Sequence, residues 1–87
     1  MFDKKTILIV DDEEAICFAF ERFFSRRGAR VLSTGSLQEG LRLCASADLL
    51  FLDIRLNDGD GLETLPEIRR RFPELPVVIM TAYGTLD

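Results

Sequence analysis

The chain reads as an α/β protein, a parallel sheet wound with helices, and three observations predict this. Four short apolar runs, "TILIV", "ARVLST", "DLLFLD" and "LPVVIMT", are separated by three segments in helical spacing. The first of them, "TILIV", is apolar or β-branched throughout rather than alternating, which suits a strand buried on both faces of a parallel sheet. Strands alternating with helices of about a dozen residues imply right-handed βαβ units around one sheet.

The first strand is Thr6 to Val10, and it stops at Asp11. From Glu14 to Arg27 the pattern becomes helical, with Ile16, Ala19, Phe20, Phe23 and Phe24 on one side and Gly28 as the stop signal. The apolar arc of this helix, from Ala15 round to Cys17, covers roughly 200°, whereas a helix lying on one sheet needs little more than ~100°. Part of it should therefore want a second partner, while Phe18 points away from the arc as an exposed aromatic. "ARVLST" is the second strand; Ser36 then caps a helix from Leu37 to about Ala45, with Leu37, Leu41 and Cys44 inward. "DLLFLD" is the third strand and "NDGDG" a loop. Gly61 to Phe72 forms the third helix with Leu62, Leu65, Ile68 and Phe72 inward and Pro66 near its first turn, where proline is tolerated best. "LPVVIMT" is the fourth strand, and "AYGTLD" follows it.

With 87 residues the chain holds at most one domain, 1–87, with a marginal core. At 47% apolar and 30% charged residues it is no disordered segment, and no run approaches the ~20 apolar residues of a membrane span. "MFDKKTILIV" runs directly into "DDEE", which argues against a secretory signal and for a cytoplasmic location. The net charge of −4 repels nucleic acid and anionic membranes, so DNA binding would belong to another domain. Cys17 and Cys44 lack CxxC spacing and the sequence has no histidine, so neither a zinc site nor a cysteine–histidine pair can be built. Both cysteines read as reduced packing residues.

The chemistry lies in the acids. In a parallel sheet all strand C-termini share one edge, and ligands bind in the crevice outside it. Asp11 and Asp12 end the first strand, Asp53 the third and Thr81 the fourth. If the first and third strands are neighbours, three carboxylates converge. Their mutual repulsion would raise their pKa values unless a cation sits among them, and hard oxygen ligands with open positions favour Mg²⁺. A metal held by its neighbours would keep Asp53 ionised after an apolar run. An ionised aspartate there can attack phosphorus to form an acyl phosphate, with Thr81 donating a hydrogen bond to the phosphoryl group. The plainer alternative is that each acid merely ends its strand or caps the next helix, a reading that stays open for Asp12 or Asp58 taken alone.

"ILIVDDEEAI", "LLFLDIRLNDGDGLETL" and "VVIMTAYGTLD" resemble the receiver domain of bacterial two-component response regulators, most closely those of the nitrogen-regulation activators, from about Lys4 onward. The resemblance implies a flavodoxin-like doubly wound parallel sheet of order 2-1-3-4. It implies Asp53 as phosphoacceptor for a histidine kinase, Asp11, Asp12, Asp53 and the Arg55 backbone carbonyl as Mg²⁺ ligands, Thr81 as switch hydroxyl and Ala82 as the small residue that keeps the site open. Such a module is a switch rather than a turnover enzyme, controlling an output domain for transcription.

Asn57 stands where the family usually has proline. The family's lysine-bearing turn, fifth strand, aromatic switch residue and last two helices have no counterpart here, so the sequence reads as the N-terminal part of a receiver, truncated before its fifth strand. That reading leaves the fourth strand as an open apolar edge and predicts self-association, through that edge or by exchange of elements.

Competing readings follow from the same residues. A self-associating fragment without phosphotransfer competence remains open. A haloacid-dehalogenase-type phosphatase would need a second acid where Arg55 stands. A calcium loop with Gly61 at its sixth position would begin at Leu56, which has no ligand oxygen, and a dinucleotide site would need a glycine-rich turn where "DDEEA" stands.

Overall fold

The computed structural model describes residues 2–81. In chain order the elements are β1 (Thr6–Val10), α1 (Glu14–Ser25), β2 (Arg30–Thr34), α2 (Leu37–Leu43) with a 3-10 turn over Cys44–Ser46, β3 (Leu49–Asp53), β4 (Arg55–Leu56), β5 (Gly59–Asp60), α3 (Gly61–Arg71) and β6 (Val77–Met80). β2, β1, β3 and β6 form one parallel sheet in that order, the 2-1-3-4 order expected of the four sheet strands, and β4 and β5 make a separate two-residue antiparallel pair.

The continuous apolar character of β1 and β3 follows from their central places. Ile7, Leu8, Ile9, Leu50 and Leu52 are each at most 1% exposed, which leaves no solvent face for polar residues to occupy. Alternation within each strand divides the core in two. Leu8, Val10, Leu50 and Leu52 pack with Leu37, Cys44, Ile68 and Leu75 from α2, α3 and their flanks. Ile7 and Ile9 face the other way, toward Phe24 and Ala29, with Phe20 and Phe51 packed against them.

Among the described residues the second layer is thinner, because α1 is the one helix that covers it. Phe24 is buried against Phe51 and Phe2, but Phe23 is half exposed. Ala19, Phe20, Phe23, Phe24 and Phe51 line an almost wholly apolar groove of about 350 Å³. The wide arc read from the sequence thus buries one side and leaves the other in solvent. Phe18 is 60% exposed and carries the Arg22 guanidinium 5.6 Å from its ring centre. Gly28 has φ of +93° just beyond α1, a left-handed conformation that costs a side-chain-bearing residue energy.

Several boundaries differ from the sequence expectation. α2 ends at Leu43 and tightens into the 3-10 turn, and "NDGDG" is not all loop, since it contains β5 and the first residue of α3. Pro66 is the sixth residue of α3, in its second turn, where it removes the donor that the Leu62 carbonyl would otherwise receive. Leu62 is itself 51% exposed rather than inward, while Leu65 and Phe72 are half-buried and Ile68 fully buried.

Candidate functional site

The strand register assembles the site. Val10 pairs with Leu52 and Asp53 pairs with Met80, so one further step sets Asp11 and Thr81 at the C-terminal rim beside Asp53. Asp11, Asp12 and Asp53 each offer a carboxylate oxygen within 4.8 Å of the others. With Glu13, Ile16, Phe20, Arg55, Met80 and Thr81 they line an open cleft of about 290 Å³. Every site residue expected from the sequence therefore lies at this cleft except Ala82, which falls outside the described residues.

The three acids differ in environment. Asp11 is buried, Asp12 exposed and Asp53 between them. Burial pushes the Asp11 carboxyl above the usual carboxylate range; the Glu13 N–H, donating to its Oδ1 at 2.8 Å, pulls it back, and the charges of Asp53, Asp12 and Glu13 push it up again. Its backbone is pinned as well, because the Asp11 N–H donates to the Thr34 carbonyl at 3.0 Å and the Cys17 thiol donates to the Asp11 carbonyl at 3.3 Å. That thiol is raised by burial and by the Asp11 charge, and Cys44 is raised by burial, so both behave as packing groups.

Asp53 is held from its C-terminal side. The Arg55 N–H donates to its Oδ1 at 3.3 Å, and the Gly61 N–H donates to the Ile54 carbonyl at 2.9 Å. α3 begins so close to this backbone that a Cβ on Gly61 would lie 2.5 Å from the Asp53 carbonyl oxygen, which is why the first residue of that helix is glycine.

Two acids of the same loop have duties that periodicity does not reveal. Asp60 caps α3 by accepting the N–H groups of Leu62 at 2.8 Å and Glu63 at 3.3 Å. Asp58 reaches instead to the start of α2, accepting from Leu37, Gln38 and the Ser36 hydroxyl. The signal for Asp60 was present as an Asp-Gly step before a helical run; Asp58 had none, because its partners lie about twenty residues back.

Three adjacent carboxylates with an open side suit a hard cation that keeps several waters, and Mg²⁺ fits that donor set. No helix among the described residues is long and apolar enough to cross a membrane.

The family described as Response regulator receiver domain matches residues 7–87. The DNA-binding transcriptional regulator NtrC of Proteus hauseri is 37% identical over 86 residues, which are 97% of this chain and 18% of that protein. The transcriptional regulatory protein ZraR of Klebsiella oxytoca is 40% identical over 83 residues, 93% of this chain and 19% of that protein. The chain thus spans less than a fifth of the length of the curated relatives it matches. Among solved structures, the response regulator TrrA of Thermotoga maritima in complex with Mg²⁺-BeF superposes with a TM-score of 0.83 at 32% identity, covering 92% of this chain and 71% of that one. A CheY-like receiver domain protein of Methanospirillum hungatei gives 0.86 at 30% identity, covering 97% and 69%.

Proposed function

The chain belongs to the response regulator receiver domain family, and from that premise we propose that Asp53 accepts a phosphoryl group from a histidine kinase. Receiver domains are signalling switches of two-component systems, phosphorylated by histidine kinases, and not enzymes in the ordinary sense. The observation that carries the proposal is the placing of the half-buried Asp53 carboxylate in an open cleft, among two further acids at the C-terminal edge of a parallel sheet.

In this reading a carboxylate oxygen of Asp53 attacks phosphorus, a P–O bond forms as the donor's P–N bond breaks, and the histidine leaves with the electron pair. The Arg55 N–H and the backbone contact of Gly61 hold the nucleophile in line. Thr81, on the rim next to it, donates its hydroxyl to a phosphoryl oxygen. Asp11, Asp12, Asp53 and the Arg55 carbonyl would hold Mg²⁺, which when bound offsets the charge of the carboxylates and of the phosphoryl group. That the Thermotoga relative was solved in complex with Mg²⁺-BeF supports Mg²⁺ as the cation. Residues 1–87 act as the N-terminal part of a receiver in the cytoplasm, and the kinship with NtrC and ZraR supports an output that regulates transcription through another part of the protein.

Incubation with Mg²⁺ and a small phosphodonor is expected to add the mass of one phosphoryl group, and Asp53→Asn to abolish that gain. Metal binding without any gain in mass would favour a fragment that no longer transfers phosphate.

The partners proposed for this chain include a second copy of itself. Among the described residues β6 pairs on one side only, with β3, and its Val78 is 42% exposed beside half-buried Ile79 and Met80. An apolar edge of this kind supports self-association, through β6 or by exchange of elements. Sedimentation at high micromolar concentration should give a species heavier than 9.9 kDa; a monomer there would refute it.

A further inference from the structure

Asp58 makes more contacts than its place on an exposed turn requires. Its Oδ1 accepts the Leu37 N–H at 2.8 Å, while its Oδ2 accepts the Ser36 hydroxyl at 3.0 Å and the Gln38 N–H at 3.3 Å. α2 already has a cap of its own, since the Ser36 hydroxyl oxygen accepts the Glu39 N–H at 3.2 Å. Asp58 therefore adds a tie between two loops rather than completing a helix end.

Those loops flank the acidic cleft. On one side Arg55 opens β4, lines the cleft and donates its N–H to Asp53. On the other, residues 34–36 back the acidic pair: Thr34 accepts the Asp11 N–H, and a Cβ placed on Gly35 would lie 3.2 Å from the Asp12 Cα. The contact continues below the turn, where a Cβ on Gly59 would come within 2.7 Å of Leu37 Cδ2.

We propose that Asp58 is a positioning residue, a clamp that fastens the loop carrying Arg55 to the start of α2 and so couples occupancy of the acidic cleft to the order of that helix end. The inference rests on the reading of the cleft as a Mg²⁺ site. Proline would stiffen this loop from within by fixing φ; Asn57 does not, and the three bonds of Asp58 restrain it from outside. The N–H groups of Leu37 and Gln38, with the Ser36 hydroxyl, hold the Asp58 carboxyl below the usual carboxylate range, so the clamp is ionised at neutral pH.

Mg²⁺ titrations of the wild-type chain and of Asp58→Ala, at about 0.1 M and about 1 M KCl, test the clamp. The variant is expected to bind roughly three- to tenfold more weakly at both salt concentrations. In the unaltered chain, which needs no variant to fold, Mg²⁺ should slow amide exchange at Leu37 and Gln38. Equal affinities overturn the clamp while leaving the cleft reading intact. So does a deficit seen only at low salt, since a through-space charge effect is screened within roughly 3 Å at 1 M. Exchange at Leu37 and Gln38 that ignores Mg²⁺ overturns the coupling. A wild-type chain that binds no Mg²⁺ overturns the cleft reading and the clamp together.

Discussion

Leu50→Ala is expected to cost about 3 to 5 kcal/mol and to leave a substantial share of the chain unfolded at 25 °C. Leu50 is fully buried at the centre of the sheet, flanked by Leu8 on β1 and Val77 on β6. Its side chain lies in the layer closed by α2 and α3, where neighbours from three directions prevent collapse into the cavity left behind. Total stability for a chain of this length is only roughly 4 to 13 kcal/mol, so one such cavity consumes much of it. Phe23→Ala removes a larger side chain yet should cost less, about 1 to 2 kcal/mol, because Phe23 is half exposed and its ring contacts are the Arg27 guanidinium 3.7 Å from its centre and the edge-on Phe24 ring at 5.0 Å. Urea denaturation of the two variants reads the difference as a shift in midpoint at constant slope. Equal losses would mean that the two faces of the sheet are equally well packed, against the asymmetry described above.

That asymmetry was partly legible in the sequence, and so was the site, for related reasons. β1 is bounded as expected because a strand buried on both faces has no polar position until it leaves the core, so Asp11 marks its end unambiguously. Once the strands are parallel, topology brings their last residues to one edge, and Asp11, Asp53 and Thr81 follow without knowledge of any side-chain conformation. What escaped were contacts between segments distant along the chain. The β4–β5 pair, the outward turn of Leu62 and the reach of Asp58 to α2 depend on how two loops meet, which hydrophobic periodicity does not encode. The unequal burial of Asp11 and Asp12 escaped for the same reason, since adjacent identical residues differ only in what packs around them.

This inequality has an energetic consequence, tested by Asp11→Asn. Burial and the neighbouring charges raise the Asp11 pKa in the folded chain, so its ionised form is disfavoured there relative to the unfolded chain. The associated stability is fully present below the unfolded carboxylate value of about 3.9 and is lost as pH rises through the higher folded value. At neutral pH the neutral isostere avoids that loss. Its side-chain oxygen can still accept the Glu13 N–H that now donates to Asp11 at 2.8 Å. Without metal, Asp11→Asn should therefore be more stable than wild type, by about 1 kcal/mol. Saturating Mg²⁺ should reverse the order. Loss of one carboxylate is expected to weaken binding at least about tenfold, whereas wild type gains about 2.7 kcal/mol when Mg²⁺ stands at 100 times its dissociation constant. Thermal melts with and without Mg²⁺ at pH 7, repeated near pH 4 where the metal-free difference should shrink, resolve these effects. Melting curves that keep the same order in both conditions would show that Asp11 is a structural acid with no share in the cation site. A crossing would show that the rim sacrifices stability in the empty state to favour a bound ion.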